Sequence, residues 1–136
     1  MVQTSSRTDR KSWTILVVDD EEGVRSVTTS LLAGRGYDVL EASNGYEALQ
    51  IFSNVSNPID LVIVDIVMPG LDGFEFVDRA KKIRDGFRVI FTSGHYNPTR
   101  YPDRSESLVT GQNFIPKPFS LDDLVRIVRN MLGGKQ

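Results

Sequence analysis

The sequence predicts an α/β fold, a single domain built on a five-stranded parallel sheet with helices on both faces. Three observations predict it. Five short apolar runs recur along the chain, each ending in polar or turn-forming residues. The segments between most of them carry apolar residues at helical spacing rather than in alternation. No internal repeat or linker interrupts the pattern, and alternating strands and helices imply a parallel sheet with right-handed crossovers.

The first strand is read in Trp13-Thr14-Ile15-Leu16-Val17-Val18, which runs into Asp19-Asp20-Glu21-Glu22. In the helix that follows, Val24, Val27, Leu31 and Leu32 recur at helical spacing, and Gly34 and Gly36 stop it. Tyr37 to Ala42 reads as the second strand. Asn44 with Glu47 resembles a capping box opening a helix that carries Ala48, Leu49 and Phe52 and ends before Asn57-Pro58. The third strand is Leu61-Val62-Ile63-Val64, ending in Asp65 and turning through Met68-Pro69-Gly70 and Gly73. Its continuous, β-branched apolar character predicts burial on both faces.

Phe74, Val77, Ala80 and Ile83 predict one face of a third helix, broken at Asp85-Gly86. Arg88 to Phe91 reads as the fourth strand, ending at Thr92-Ser93-Gly94. Residues 95 to 112 are the least regular part. Pro98 and Pro102 rule out a long helix, although Asp103 to Thr110 could form a short one. Asn113-Phe114-Ile115 reads as the fifth strand, ending at Pro116-Lys117-Pro118. Ser120 and Asp123 then cap a last helix with Leu121, Leu124, Val125, Val128, Met131 and Leu132 on one face.

Composition narrows the function classes. The 136 residues suit one domain with a full core, and 40% hydrophobic with 25% charged residues indicate a globular chain. A net charge of -2 provides no bulk attraction to nucleic acid or anionic membranes. With no cysteine, disulfides, thiolate metal sites and cysteine nucleophiles are excluded. No apolar run approaches the roughly 20 residues of a membrane span. Met1 to Ser12 lacks the apolar core of a secretory signal and reads as a flexible tail, as do residues 133–136, so the domain is expected over 13–132 and its location in the cytoplasm.

The strand ends of a parallel sheet share one rim. The first strand brings Asp19 and Asp20 there, the third Asp65, the fourth Thr92 and the fifth Lys117. Each has an ordinary structural explanation alone, since acids favour helix starts and Thr ends many strands. Five such residues on four separate strands point to a site. Crowded carboxylates repel unless a cation neutralises them, and Mg²⁺ binds through one or two carboxylates together with water and phosphate oxygens. The rim therefore reads as a Mg²⁺ site handling phosphate. No Walker glycine loop is present, so a P-loop nucleotide enzyme is not indicated.

At these residues the sequence resembles the receiver domains of two-component response regulators. The resemblance is carried by Ile15-Leu16-Val17-Val18-Asp19-Asp20-Glu21, Asp65-Ile66-Val67-Met68-Pro69-Gly70-Leu71-Asp72-Gly73, Thr92-Ser93-Gly94 and Lys117-Pro118-Phe119, and it spans Trp13 to Leu132. It implies a flavodoxin-like (βα)5 three-layer sandwich with sheet order 2-1-3-4-5. It implies Asp65 as phosphoryl acceptor, and Mg²⁺ held by Asp20, by Asp19 directly or through water, by Asp65 and by the Val67 carbonyl. Lys117 would pair with Asp65 and then with a phosphoryl oxygen, and Thr92 would bond another. Phe114 falls at the switch aromatic, and Lys117-Pro118 at a peptide that is cis in the family. The implied partner is a histidine kinase or histidine phosphotransfer protein, acting on a monomer or weak dimer with a possible downstream protein target. The chain would catalyse its own phosphorylation and a slow dephosphorylation rather than turn over a substrate.

Departures from the pattern shape these expectations. Phe114 has no hydroxyl, so its rotamer must be biased by packing alone. Val67 offers no polar side chain to orient a hydrolytic water, which argues for slow phosphoryl loss. The stretch from Tyr96 to Gln112 carries two prolines where the family has its fourth helix, so that helix is expected to be short, shifted or mobile. His95, the only histidine, reads as a polar loop residue rather than a phosphoryl carrier or metal ligand. Helix five is followed closely by the last residue, so no DNA-binding or catalytic output domain is expected within this chain, a stand-alone regulator or a receiver excised from a larger protein. Two alternatives remain open: a degenerate receiver acting as a phosphorylation-independent interaction module, and a Mg²⁺-dependent phosphatase. The latter typically carries a second aspartate two positions after the nucleophile, where Val67 stands.

Overall fold

The computed structural model describes residues 12–94 and 100–133. The expected tails up to Lys11 and at 134–136, together with His95 and residues 96–99, lie outside them. The elements run β1 (Thr14–Val18), α1 (Glu22–Gly34), β2 (Asp38–Ala42), α2 (Gly45–Ser53), β3 (Leu61–Asp65), α3 (Gly73–Ile83), β4 (Arg88–Ser93), a 3₁₀ turn at Ser105–Ser107, β5 (Phe114–Pro116) and α4 (Leu121–Met131). The sheet order is β2-β1-β3-β4-β5 and every pairing is parallel. This is the expected 2-1-3-4-5 sheet. It is a sandwich with four α-helices among the described residues; the 3₁₀ turn lies where a helix between β4 and β5 would complete five βα units.

Strand alternation builds two cores. Leu16 and Val18 of β1 and Val62 and Val64 of β3 pack with Phe52 of α2 and Phe76, Val77 and Ala80 of α3. Ile15, Val17, Leu61 and Ile63 point the other way, against Leu32 of α1 and Leu124, Ile127 and Val128 of α4. Both faces are therefore covered, as the apolar runs required. Phe52 anchors the first core. It is fully buried and meets Phe76 and Phe87 edge-on at 5.7 and 4.8 Å, with the Arg84 guanidinium 5.0 Å from its ring centre. Phe52→Ala is expected to lower stability by about 3–5 kcal/mol, measurable by urea denaturation.

The helix faces differ in detail from the sequence reading. Val27 is 53% exposed, and Thr28 takes the buried place on α1. Ile83 is exposed, while Phe76 and Ile127 are buried. Asn44 caps α2 by accepting the Glu47 backbone N–H, but the Glu47 carboxylate accepts from the Ser43 N–H rather than returning to Asn44. The reciprocal capping box is on α3, between Asp72 and Glu75. None of the described helices is long and apolar enough to cross a membrane.

Candidate functional site

Parallel register places the carboxyl ends of β1, β3, β4 and β5 on one rim. Asp65 lies opposite Thr92 in the β3–β4 pairing, and the Ile66 N–H donates to the Thr92 carbonyl at 2.8 Å. Asp19 follows directly after β1, with its N–H bonded to the Ala42 carbonyl at 3.2 Å. Lys117 follows β5, tied to β4 by its N–H on the Ser93 carbonyl at 3.0 Å. The Lys117–Pro118 peptide is cis.

The Lys117 ammonium joins these strands. Its Nζ lies 2.9 Å from Asp65 Oδ2, 3.0 Å from Asp19 Oδ2 and 2.8 Å from Glu21 Oε1. An ammonium has three N–H donors, and here there are three carboxylates to take them. The other oxygen of Asp65 accepts the Val67 N–H at 3.1 Å, which fixes the carboxylate from both sides. Asp19 Oδ1 likewise accepts the Glu21 N–H at 2.9 Å. Asp19, Asp65 and Thr92 are each no more than 5% exposed.

Electrostatics follow from burial and pairing. Desolvation raises the Asp65 carboxyl above its ordinary range, a tendency only partly offset by Lys117 and reinforced by the Asp19 charge. Burial disfavours the charged form of Lys117, but its hydrogen bonds to Glu21, Asp65 and Asp19 prevail and hold it well above the usual lysine range. Lys117 is therefore a cation at any physiological pH.

A hard divalent cation fits this donor chemistry. Carboxylate oxygens of Asp19, Glu21 and Asp65 all lie within 4.8 Å of one another, and they already gather around one positive charge. Asp20 is exposed and stands outside that group. Val67, whose carbonyl is a further candidate ligand, lies on the same turn as Asp65. Phe114 is half-buried on β5, paired in register with Phe91 of β4. The residue that sequence reasoning left without a role is Glu21. The acidic run after the first strand was visible, but which of its members reaches Lys117 depends on how α1 begins.

Two features surround the site. Gly73 packs so tightly under it that an added Cβ would lie 2.5 Å from the Asp65 carbonyl oxygen. A groove of about 690 Å³ borders Glu21 and Lys117, with Val24, Val27, Phe119 and Leu121 on its apolar walls.

The family model described as response regulator receiver domain matches residues 15–129. The sensor kinase CckA of Brucella abortus is 37% identical over 121 residues, which is 89% of this chain but 13% of that protein. Sporulation initiation phosphotransferase F of Bacillus subtilis is 35% identical over 118 residues, covering 87% of this chain and 92% of that one. Among solved structures, the receiver domain of the hybrid histidine kinase CckA superposes with a TM-score of 0.72 at 39% identity, covering 88% and 98% of the two chains. A CheY-like receiver domain protein from Methanospirillum hungatei gives 0.79 at 26% identity, covering 90% and 95%.

Proposed function

The chain belongs to the response regulator receiver domain family, and we propose that it works as a phosphoryl-accepting switch with Asp65 as the acceptor. The donor would be a phosphohistidine on a histidine kinase or phosphotransfer protein in the cytoplasm. The observation that carries this reading is the Lys117 ammonium, 2.9 Å from Asp65 Oδ2 and in contact with Asp19 across the same rim. Phosphoryl transfer needs positioning and charge neutralisation more than covalent help from the protein.

An Asp65 carboxylate oxygen forms a bond to phosphorus as the donor P–N bond breaks, and the electron pair leaves on the imidazole nitrogen. The Val67 N–H and Lys117 hold the carboxylate in place for that approach. Lys117 then pairs with a phosphoryl oxygen, and the Thr92 hydroxyl donates to another. Asp19, Asp20 and Asp65, with the Val67 carbonyl, would hold Mg²⁺. When bound, the ion supplies charge neutralisation on the transferring group. Withdrawal of Thr92 toward the phosphoryl group leaves room for Phe114 to repack, changing the surface around β5. The apolar groove beside Glu21 and Lys117 offers the donor a surface within reach of Asp65.

Incubation with Mg²⁺ and acetyl phosphate is expected to add one phosphoryl group per chain by intact-mass measurement. Asp65→Asn should abolish the addition, and chelation of Mg²⁺ should suppress it. With Val67 offering no polar group to a hydrolytic water, the adduct should be lost slowly. An unlabelled wild-type chain would favour a phosphorylation-independent interaction module instead.

A further inference from the structure

Glu21 occupies the N-cap of α1, a position whose side chain ordinarily accepts a helix N–H. It makes no such capping bond. Its backbone N–H is held by Asp19 Oδ1 at 2.9 Å, and its carboxylate reaches Lys117, 96 residues further along the chain. Of the three carboxylates on that ammonium, Asp19 and Asp65 have side chains 6% exposed, whereas the Glu21 side chain is 53% exposed. Lys117 thus has two inner partners and one outer partner.

The inner two are also oxygen donors for a divalent cation. A cation that draws on Asp19 and Asp65 competes with Lys117 for them and repels it. Without Glu21, the largely buried ammonium would be left without a counter-ion of its own.

We propose that Glu21 is a positioning residue that gives the Lys117 ammonium an outer partner, so that a divalent cation can take the buried carboxylates while Lys117 stays within reach of Asp65. This rests on the phosphoryl-acceptor reading for its biological meaning, but its test does not require phosphorylation.

Mn²⁺ binding to the full chain, followed by the electron paramagnetic resonance of the free ion, tests it in wild type, Glu21→Gln, Lys117→Met and the double variant. Glu21→Gln keeps the side chain's volume at a half-exposed position that does not cap its helix, so folding should be unaffected, as circular dichroism would verify. It is expected to weaken Mn²⁺ binding about fivefold or more, within the coupling range of contacting residues. Lys117→Met should tighten binding by removing the competing cation. In the Lys117→Met background, Glu21→Gln should change affinity by no more than about twofold, because the lysine it serves is gone. Equal losses in both backgrounds would make Glu21 a metal ligand or a mere source of field and overturn the proposal, as would no loss in either. Those results would leave Asp65 labelling by acetyl phosphate intact, whereas failure of labelling would strike the phosphoryl-acceptor reading alone.

Discussion

Asp65→Asn is expected to stabilise the metal-free protein at neutral pH and, on the acceptor role proposed for Asp65, to block phosphoryl transfer to the chain. The Asp65 carboxyl is almost fully buried, and desolvation is the main cause of its raised pKa, with the Asp19 charge adding to it. A raised native pKa means that folding favours the neutral form. Asparagine is the neutral isostere, and Lys117 keeps Asp19 and Glu21 as partners. A gain of about 1–2 kcal/mol is the usual size for relieving such a functional site, worth about 3–6 °C for a chain of this length. The pH dependence has a definite sign. Between the unfolded value and the raised native value the native state holds more protons, so wild-type stability falls as pH rises through that window. The advantage of asparagine should be complete above the native pKa, shrink as pH falls through it, and disappear below the ordinary carboxylate value of about 4. Thermal melts of both proteins in chelator across that range measure it. A gap that does not change with pH, or a less stable variant at neutral pH, would contradict the burial argument.

The central strands β1 and β3 were legible because a strand buried on both faces has a plain signature, and the edge strands β2 and β5, only partly buried, were still placed within a residue or two. The rim residues were legible for the same reason, since parallel strands deliver their last residues to one edge. Helix faces were less so. Val27 and Thr28 are adjacent on α1 and point about 100° apart around its axis; helical spacing chose the valine, and packing against the sheet chose the threonine. Phe76 and Ile127 were missed because a helix covering a twisted sheet buries a stripe wider than one residue per turn.

The segment between β4 and β5 was illegible as structure, although its prolines announced irregularity. Asp103 to Thr110 contains one 3₁₀ turn rather than a short helix. Its partners are distant or local side chains that no periodicity reports. The Asn113 amide accepts the Val109 N–H at 2.6 Å and donates to the Ser107 carbonyl at 2.8 Å, so it occupies backbone groups that a helix would have paired. Arg104 grips Asp78 of α3 through two bonds of 3.0 and 3.1 Å and lies 4.7 Å from the centre of the Phe74 ring. That tertiary clamp ties Arg104, and the 3₁₀ turn beside it, to α3.

Gly73→Ala is expected to damage both stability and phosphoryl acceptance, by a route that begins in the backbone. The Cβ of alanine would stand 2.5 Å from the Asp65 carbonyl oxygen, 2.9 Å from Ile66 Cα and 3.1 Å from the Asp65 carbonyl carbon. None of these atoms can rotate away as a side chain would. Nor can α3 easily retreat. The Gly73 N–H donates to the Ile66 carbonyl at 2.8 Å, and Asp72 with Glu75 caps the first turn. The end of β3 must therefore move, and Asp65 with it. Overpacking of this kind costs about 1–3 kcal/mol, and a displacement near 1 Å at a reacting group can cost about 100-fold in rate. Gly23→Ala is the matched control. Gly23 is also near the start of a helix, but an added Cβ meets nothing within 4 Å, so alanine should stabilise α1 by about 0.5–1 kcal/mol. Thermal melts should move the two glycine variants in opposite directions, and initial rates of labelling by acetyl phosphate should fall for Gly73→Ala alone. Two alanine variants with the same melting temperature and the wild-type labelling rate would mean that the end of β3 yields freely, and that Asp65 is positioned by Lys117 and Val67 rather than by the packing beneath it.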